Sequence, residues 1–134
     1  MERFERGRQF PVSIVMTDVD GLKKMNDQEG HAVGDAVLKR VAEVLTTAFR
    51  TEDVVARIGG DEFAVLLPAT DAAAAKVLLE RVHQVILDNN IAYPETPMRF
   101  SMGISTAEHP MPLAVVLKNA DANMYREKRG NDDS

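Results

Sequence analysis

The chain has 134 residues, 45% hydrophobic and 28% charged, and carries 16 Lys and Arg against 21 Asp and Glu, a net charge of −5. That is the size and composition of one globular domain, with an acidity that disfavours non-specific attraction to nucleic acid or anionic membrane. With no cysteine, a disulfide scaffold and a thiolate zinc centre are excluded and a reducing compartment fits.

No apolar run approaches the length of a membrane span, and the first residues lack the apolar core of a signal peptide, so a cytoplasmic location is expected. Residues 1–10 are short and charged, like the remnant of an initial helix or linker. Val12 to Val19 is a nearly continuous apolar run ending in acid, the pattern of a strand buried on both faces. Asp18 and Asp20 lie two apart at its carboxyl end, a spacing that points both side chains the same way. Gly21 to His31 is long enough for a short helix closed by Gly30.

From Asp35 to Phe49 the apolar residues Val37, Leu38, Val41, Val44, Leu45 and Ala48 recur at helical spacing. Asp53 to Ala56 and Phe63 to Leu67 read as two buried strands joined by Gly59-Gly60, a hairpin signal because tight turns need positive φ. Pro68-Ala69-Thr70-Asp71 starts a helix that buries Ala75, Leu78, Leu79, Val82 and Ile86. Asp88-Asn89-Asn90, Pro94 and Pro97 predict a loop, Met98 to Thr106 a strand, and Pro110 and Pro112 introduce a last helix to about Lys128. Residues 129–134 form a tail, expected to fray from Gly130. This order predicts one domain over 1–134 of α/β (α+β) class, with a mixed central sheet flanked by helices and a protruding Gly-Gly-Asp-Glu hairpin.

Asp61 and Glu62 are adjacent carboxylates at that hairpin corner. They repel each other and cannot be buried unpaired, so they ask for a cation or a catalytic task; the plain alternative is a solvated turn. Asp18 converges on them if the two strands are neighbours. Carboxylates gathered in this way suit hard divalent cations and two-metal phosphoryl or nucleotidyl transfer. Asn26 and Asp35 offer hydrogen-bonding groups for a base edge, although Asp35 also suits a helix N-cap and Asn26 a turn. Lys128 at a helix end ordinarily complements the dipole, and Asp121 shares its helix side. Arg50 and Asp53, three apart, make an ordinary surface pair, and Arg81 lies off the apolar stripe of its helix.

The stretch Arg57-Ile58-Gly59-Gly60-Asp61-Glu62-Phe63 resembles the hallmark of the GGDEF family, the diguanylate cyclases that join two GTP into cyclic di-GMP. Asp18 to Asp35 resembles the family's nucleotide-binding signature almost position for position, with Leu22 where phenylalanine is usual. Ala120 to Lys128 is similar to its last helix, although Lys128-Arg129-Gly130-Asn131 is one residue short of the family's ending and lacks its arginine. The resemblance runs from Val12 to Lys128 and implies a nucleotidyl cyclase or palm-like fold, with GTP as substrate and two Mg2+ or Mn2+ per active site. It implies metal ligands at Asp18, Asp61 and the Val19 carbonyl, catalytic roles for Asp61, Glu62, Gly59 and Gly60, and guanine readers at Asn26 and Asp35. Phosphate contacts fall to the Leu22 and Lys23 backbone amides and to Lys128. Arg50, Asp53 and Arg81 match an inhibitory site for the product, cyclic di-GMP. The family also implies an antiparallel homodimer for catalysis and a fused sensory domain, which makes this chain an expected excised catalytic domain. The rival classes are a non-catalytic receptor for GTP or cyclic di-GMP and another palm-like nucleotidyl transferase, which would lack the guanine readers.

Overall fold

Strand β1 (Val12–Val19), buried along its whole length, is the axis of the molecule. The computed structural model describes residues 10–133, and the side chains of residues 22–24 and 131–133 lie outside that description. The expected remnant at 1–10 falls, Phe10 apart, outside the described residues. After β1 come α1 (Leu22–Glu29), α2 (His31–Ala48), β2 (Val54–Arg57), β3 (Glu62–Leu67), α3 (Ala72–Ala92), β4 (Phe100–Ala107) and α4 (Leu113–Asp133). The four strands form one sheet in the order β2-β3-β1-β4. The expected mixed sheet is antiparallel in all three pairings. The α1–α2 crossover carries the chain past β1 to the far edge, so β3 returns between β2 and β1, the ferredoxin-like order.

The period of two along β1 splits the core. Val15 and Val19 pack with Val41, Leu45, Val65, Leu78 and Val82 under α2 and α3. Val12, Ile14 and Met16 pack with Val116, Ala120 and Met124 of α4. Each such side chain contributes about 1.5–3 kcal/mol relative to exposure, which is why β1 reads as a continuous apolar run. Asp18, in step with Met16, faces α4. Among the described residues no helix is long and apolar enough to cross a membrane.

Several predicted boundaries move. α2 begins at His31, four residues before Asp35, because Gly30 (φ 94) both ends α1 and caps α2. Asp35 is therefore inside the helix and is not its cap. β2 is an edge strand and mostly exposed, with Val54 at 55%, so its β-branched residues do not mark burial on both faces. The β2–β3 loop takes in Ile58, Gly59, Gly60 and Asp61, and neither glycine adopts positive φ. A four-residue connection needs none of the geometry that a two-residue hairpin demands.

Asp71 caps α3, accepting from the Ala74 N–H at 2.8 Å. α3 then runs through the predicted loop residues Asp88-Asn89-Asn90 to Ala92. The turn-forming amides are engaged elsewhere: Asn90 exchanges two hydrogen bonds with the Met98 backbone, and Asn89 accepts from Arg40. With Met98 so bound, β4 starts at Phe100. α4 continues through Gly130 to Asp133; the helical cost of one glycine, about 0.5–1 kcal/mol relative to Ala, does not end it.

Candidate active site

The antiparallel register of β1 and β3 sets Asp18 opposite Glu62. The Val19 N–H donates to the Asp61 carbonyl at 2.9 Å, which fastens the hairpin corner to the end of β1. Asp18 is buried, 7% exposed, and Lys128 Nζ of α4 donates to its Oδ2 at 2.7 Å. Its other oxygen, Oδ1, is buried with no hydrogen-bond partner. Asp20, just past the strand, accepts from the Ser101 hydroxyl through both carboxylate oxygens, at 3.1 and 2.8 Å.

These charges act on one another. The Asp61 carboxyl is pushed above its ordinary value, first by burial and then by the charge of Asp18. Glu62 is also raised, by burial first and then by the charges of Asp121, Asp18 and Asp61. Lys128 is raised chiefly by its hydrogen bond to Asp18, with Asp20 and Asp61 adding to the effect. Asp121 and Lys128, two helical turns apart on α4, therefore both address this corner. Sequence reasoning had noted their shared side, but had missed Ser101, whose place depends on the β1–β4 register.

The hairpin tip is tied by Arg57, whose guanidinium donates to the carbonyls of Gly59 at 3.1 Å and Gly60 at 2.6 Å. A Cβ on Gly60 would meet nothing within 4 Å, and one on Gly59 only Glu62 at ordinary contact distance. Neither glycine is demanded by packing within the chain.

On the other side of β1, Gly21 (φ 75) turns the chain into α1. The helical ladder starts with the Met25 N–H on the Gly21 carbonyl, leaving the amides of Leu22 and Lys23 outside it. Asn26 of α1 presses against Gly34 of α2, where a Cβ would lie 1.5 Å from Asn26 Oδ1. That oxygen is buried without a partner. Asp35 follows Gly34 and is exposed. Of the two predicted base readers, Asn26 thus packs on Gly34, the residue that precedes Asp35.

A family model described as "Diguanylate cyclase, GGDEF domain" matches residues 1–134. The chain belongs to the GGDEF family. Diguanylate cyclase A of Treponema denticola is 36% identical over 121 residues, which cover 88% of this chain and 33% of that protein. Diguanylate cyclase DgcP of Pseudomonas aeruginosa is 38% identical over 122 residues, 90% of this chain and 18% of that protein. The chain thus spans about a third or less of the length of these curated relatives. Among solved structures, the active GGEEF domain of a diguanylate cyclase from Vibrio cholerae superposes with a TM-score of 0.83 at 29% identity, covering 95% of this chain and 81% of that one.

In this GGDEF domain no group of three or more His, Asp or Glu side chains among the described residues forms a self-contained metal site. The donor set at the corner nevertheless fits a hard divalent cation. Asp18 offers a buried oxygen with no partner, Asp61 lies beside it, and magnesium takes few protein ligands when substrate phosphates complete its shell.

Arg50 and Asp53 lie away from this corner. The Arg50 guanidinium grips Asp53, with contacts down to 2.8 Å, and also donates to Thr70 Oγ1 at 2.6 Å. The Arg50 N–H donates to Asp53 Oδ2 at 2.8 Å. The Asp53 side chain has no exposed surface, whereas Arg50 keeps 30%. The expectation that these groups are exposed is corrected for Asp53: three donor groups of Arg50 close over it. The pair borders a cavity of about 520 Å³ lined by Thr46, Phe49 and Val55 as well. Arg81 is exposed on α3, does not line that cavity, and makes no hydrogen bond or ion pair among the described residues.

Proposed function

We propose that this domain condenses two GTP into cyclic di-GMP and two pyrophosphates. The observation that carries the reading is Asp18, with a buried unpartnered oxygen, held beside Asp61 where β1 meets the Gly-Gly-Asp-Glu hairpin. Two Mg2+ or Mn2+, held by the Asp18 and Asp61 carboxylates and the Val19 carbonyl, would supply charge neutralisation at the phosphates and acidify the attacking hydroxyl. In each of two rounds a 3′-oxygen bonds to the α-phosphorus of the other nucleotide, and the α–β bridging bond breaks. The hydroxyl proton passes to a carboxylate, Asp61 or Glu62, and pyrophosphate leaves. Glu62, which holds no metal in this reading, sits above its ordinary pKa through burial and the charge of Asp121, the direction that suits a base.

The chain's own groups bind and orient. Asp35 and Asn26 read the guanine edge, whose paired N–H donors adenine lacks. The free amides of Leu22 and Lys23 at the α1 N-terminus receive the terminal phosphates, and Lys128 adds a cation. Open space at Gly60 leaves room for the α-phosphate to approach the backbone. Each domain holds one GTP, so two domains face each other antiparallel for turnover. Arg50 and Arg81 bind cyclic di-GMP as inhibitor, with Asp53 fixing the Arg50 fork. A fused input domain and a cytoplasmic setting belong to the same reading.

The test is chromatography of products after incubation with GTP and magnesium. Cyclic di-GMP and pyrophosphate in a 1:2 ratio are expected; tight GTP binding without product would favour the receptor. Loss of cyclic di-GMP affinity in Arg50→Ala checks the inhibitory site, and unchanged affinity would remove it.

A further inference from the structure

The charge around Asp18 is lopsided. Asp18, Asp20, Asp61, Glu62 and Asp121 all contribute negative charge to this corner, and Lys128 is the one cation among the groups that shift Asp61 and Glu62. Its ammonium sits on Asp18 Oδ2 at 2.7 Å with the lysine side chain 32% exposed and that of Asp18 only 10%. A buried carboxylate deprived of a counter-charge is costly. Lys128 therefore meets the need that a divalent ion would otherwise meet, and on the same carboxylate.

We propose that Lys128 is a resident counter-ion which a divalent cation displaces from Asp18, so that the lysine is handed from the carboxylate to the nucleotide's phosphates as metal and GTP arrive together. This rests on the metal and phosphate roles proposed above and adds an order to them. With no nucleotide, the ammonium repels a second cation and occupies one Asp18 oxygen, so metal binds weakly. With a triphosphate present, the ammonium has an alternative anion, and Asp18 is released. By linkage, each ligand then strengthens the other by the same factor. The 32% exposure of the lysine side chain is what permits the swing, because its ammonium can leave Asp18 without unpacking α4.

The experiment is a titration of the nucleotide-free 134-residue chain with Mn2+ alone, followed by the loss of the free-ion electron paramagnetic resonance signal. Lys128→Met should tighten Mn2+ by about fivefold or more, the lower range of such couplings. Lys118→Met removes the same charge from an exposed site on α4 and should stay within about twofold of the parent. Adding Asp18→Asn to Lys128→Met should abolish the gain. Equal or weaker Mn2+ binding in Lys128→Met, or a gain that survives Asp18→Asn, overturns the proposal. Should Lys128→Met fail to fold, the parent carries the test. Acetic anhydride labelling of Lys128, mapped by mass spectrometry, should rise several-fold relative to Lys118 at the Mn2+ concentration at which the resonance titration shows the site filled. Either unchanged labelling at that occupancy or no Mn2+ binding at any concentration overturns the exchange. None of these readouts needs turnover, so a chain that makes no cyclic di-GMP yet passes them retains the ion exchange and loses only the cyclase reading.

Discussion

Asn26 and Gly34 touch because Gly30 turns α1 directly into α2 and brings the second helix back over the first. The contact leaves no room for a side chain: a Cβ on Gly34 would meet Asn26 Oδ1 at 1.5 Å and Cγ at 2.6 Å. Gly34→Ala should therefore turn the Asn26 amide out of place while the helix, for which alanine is favourable, stays intact. GTP affinity by calorimetry is expected to fall roughly tenfold, the loss of about one hydrogen-bonding group, with little change in Tm. Unchanged affinity would separate Asn26 from guanine reading. Asp61 gives a second residue-scale expectation. Its folded pKa is raised above the ordinary 3.8, so in the window between the two the folded state holds more protons than the unfolded one. Stability then falls as pH rises through that window. Asp61→Asn removes the charged form, so its Tm should exceed the parent's at pH 7 and the gap should close as pH falls towards 3.8; a gap independent of pH would assign the effect to packing. The motif residues were legible individually because each carries its chemistry in its type. Their partners were not: Lys128 and Asp18 are 110 residues apart, and no local spacing pairs them.

That pairing depends on where α4 lies, and Gly103 sets it. A Cβ there would stand 2.1 Å from the Met124 nitrogen and 2.3 Å from the Ala120 carbonyl oxygen. These are backbone atoms that cannot rotate away, so the helix crosses β4 only because the strand has no side chain at that point. Asn123 and Glu127 then satisfy the free edge of β4, donating to the Ile104 carbonyl and accepting from the Met102 N–H. Gly103→Ala must push α4 off the sheet, at a cost of about 1–3 kcal/mol or more, visible as a lower urea midpoint. Because Lys128 rides on α4, the same variant should bind GTP more weakly than its stability loss alone implies. A variant as stable as the parent would mean that α4 is not held at this crossing. Element order was readable from periodicity, and β1 especially so, since burial on both faces leaves one continuous apolar run. Boundaries were misread for two reasons: the Asn90 side chain reaches outside its segment to Met98 at the end of α3, and the Gly30 backbone, at φ 94, ends one helix and begins the next without a loop. The β-branched content of β2 suggested burial, but an edge strand carries the same residues for their pleated geometry alone.

At the scale of the whole molecule, the antiparallel order β2-β3-β1-β4 places the hairpin next to β1, so that one corner gathers acids from the chain's first strand and its middle. α4 covers the opposite face from α2 and α3 and brings the cation. The sequence allowed this convergence without requiring it, because strand adjacency is a property of the finished sheet. Among the described residues the domain carries a single set of such groups: one Asn26–Gly34 contact, one α1 N-terminus and one Gly59–Gly60 tip, with Gly60, Asp35 and Arg57 all exposed. Under the proposed reading a reaction that joins two GTP needs two such sets, and the second would come from another copy. Below the dissociation constant of that pairing, the concentration of paired domains rises as the square of total protein. Doubling the chain should then raise the initial rate about fourfold, and specific activity should fall steadily on dilution at saturating GTP. Initial rates of pyrophosphate release over a hundredfold range of protein concentration check this. A rate strictly proportional to protein over that range, with sedimentation showing monomer throughout, would mean that one domain suffices and that both nucleotides bind within it.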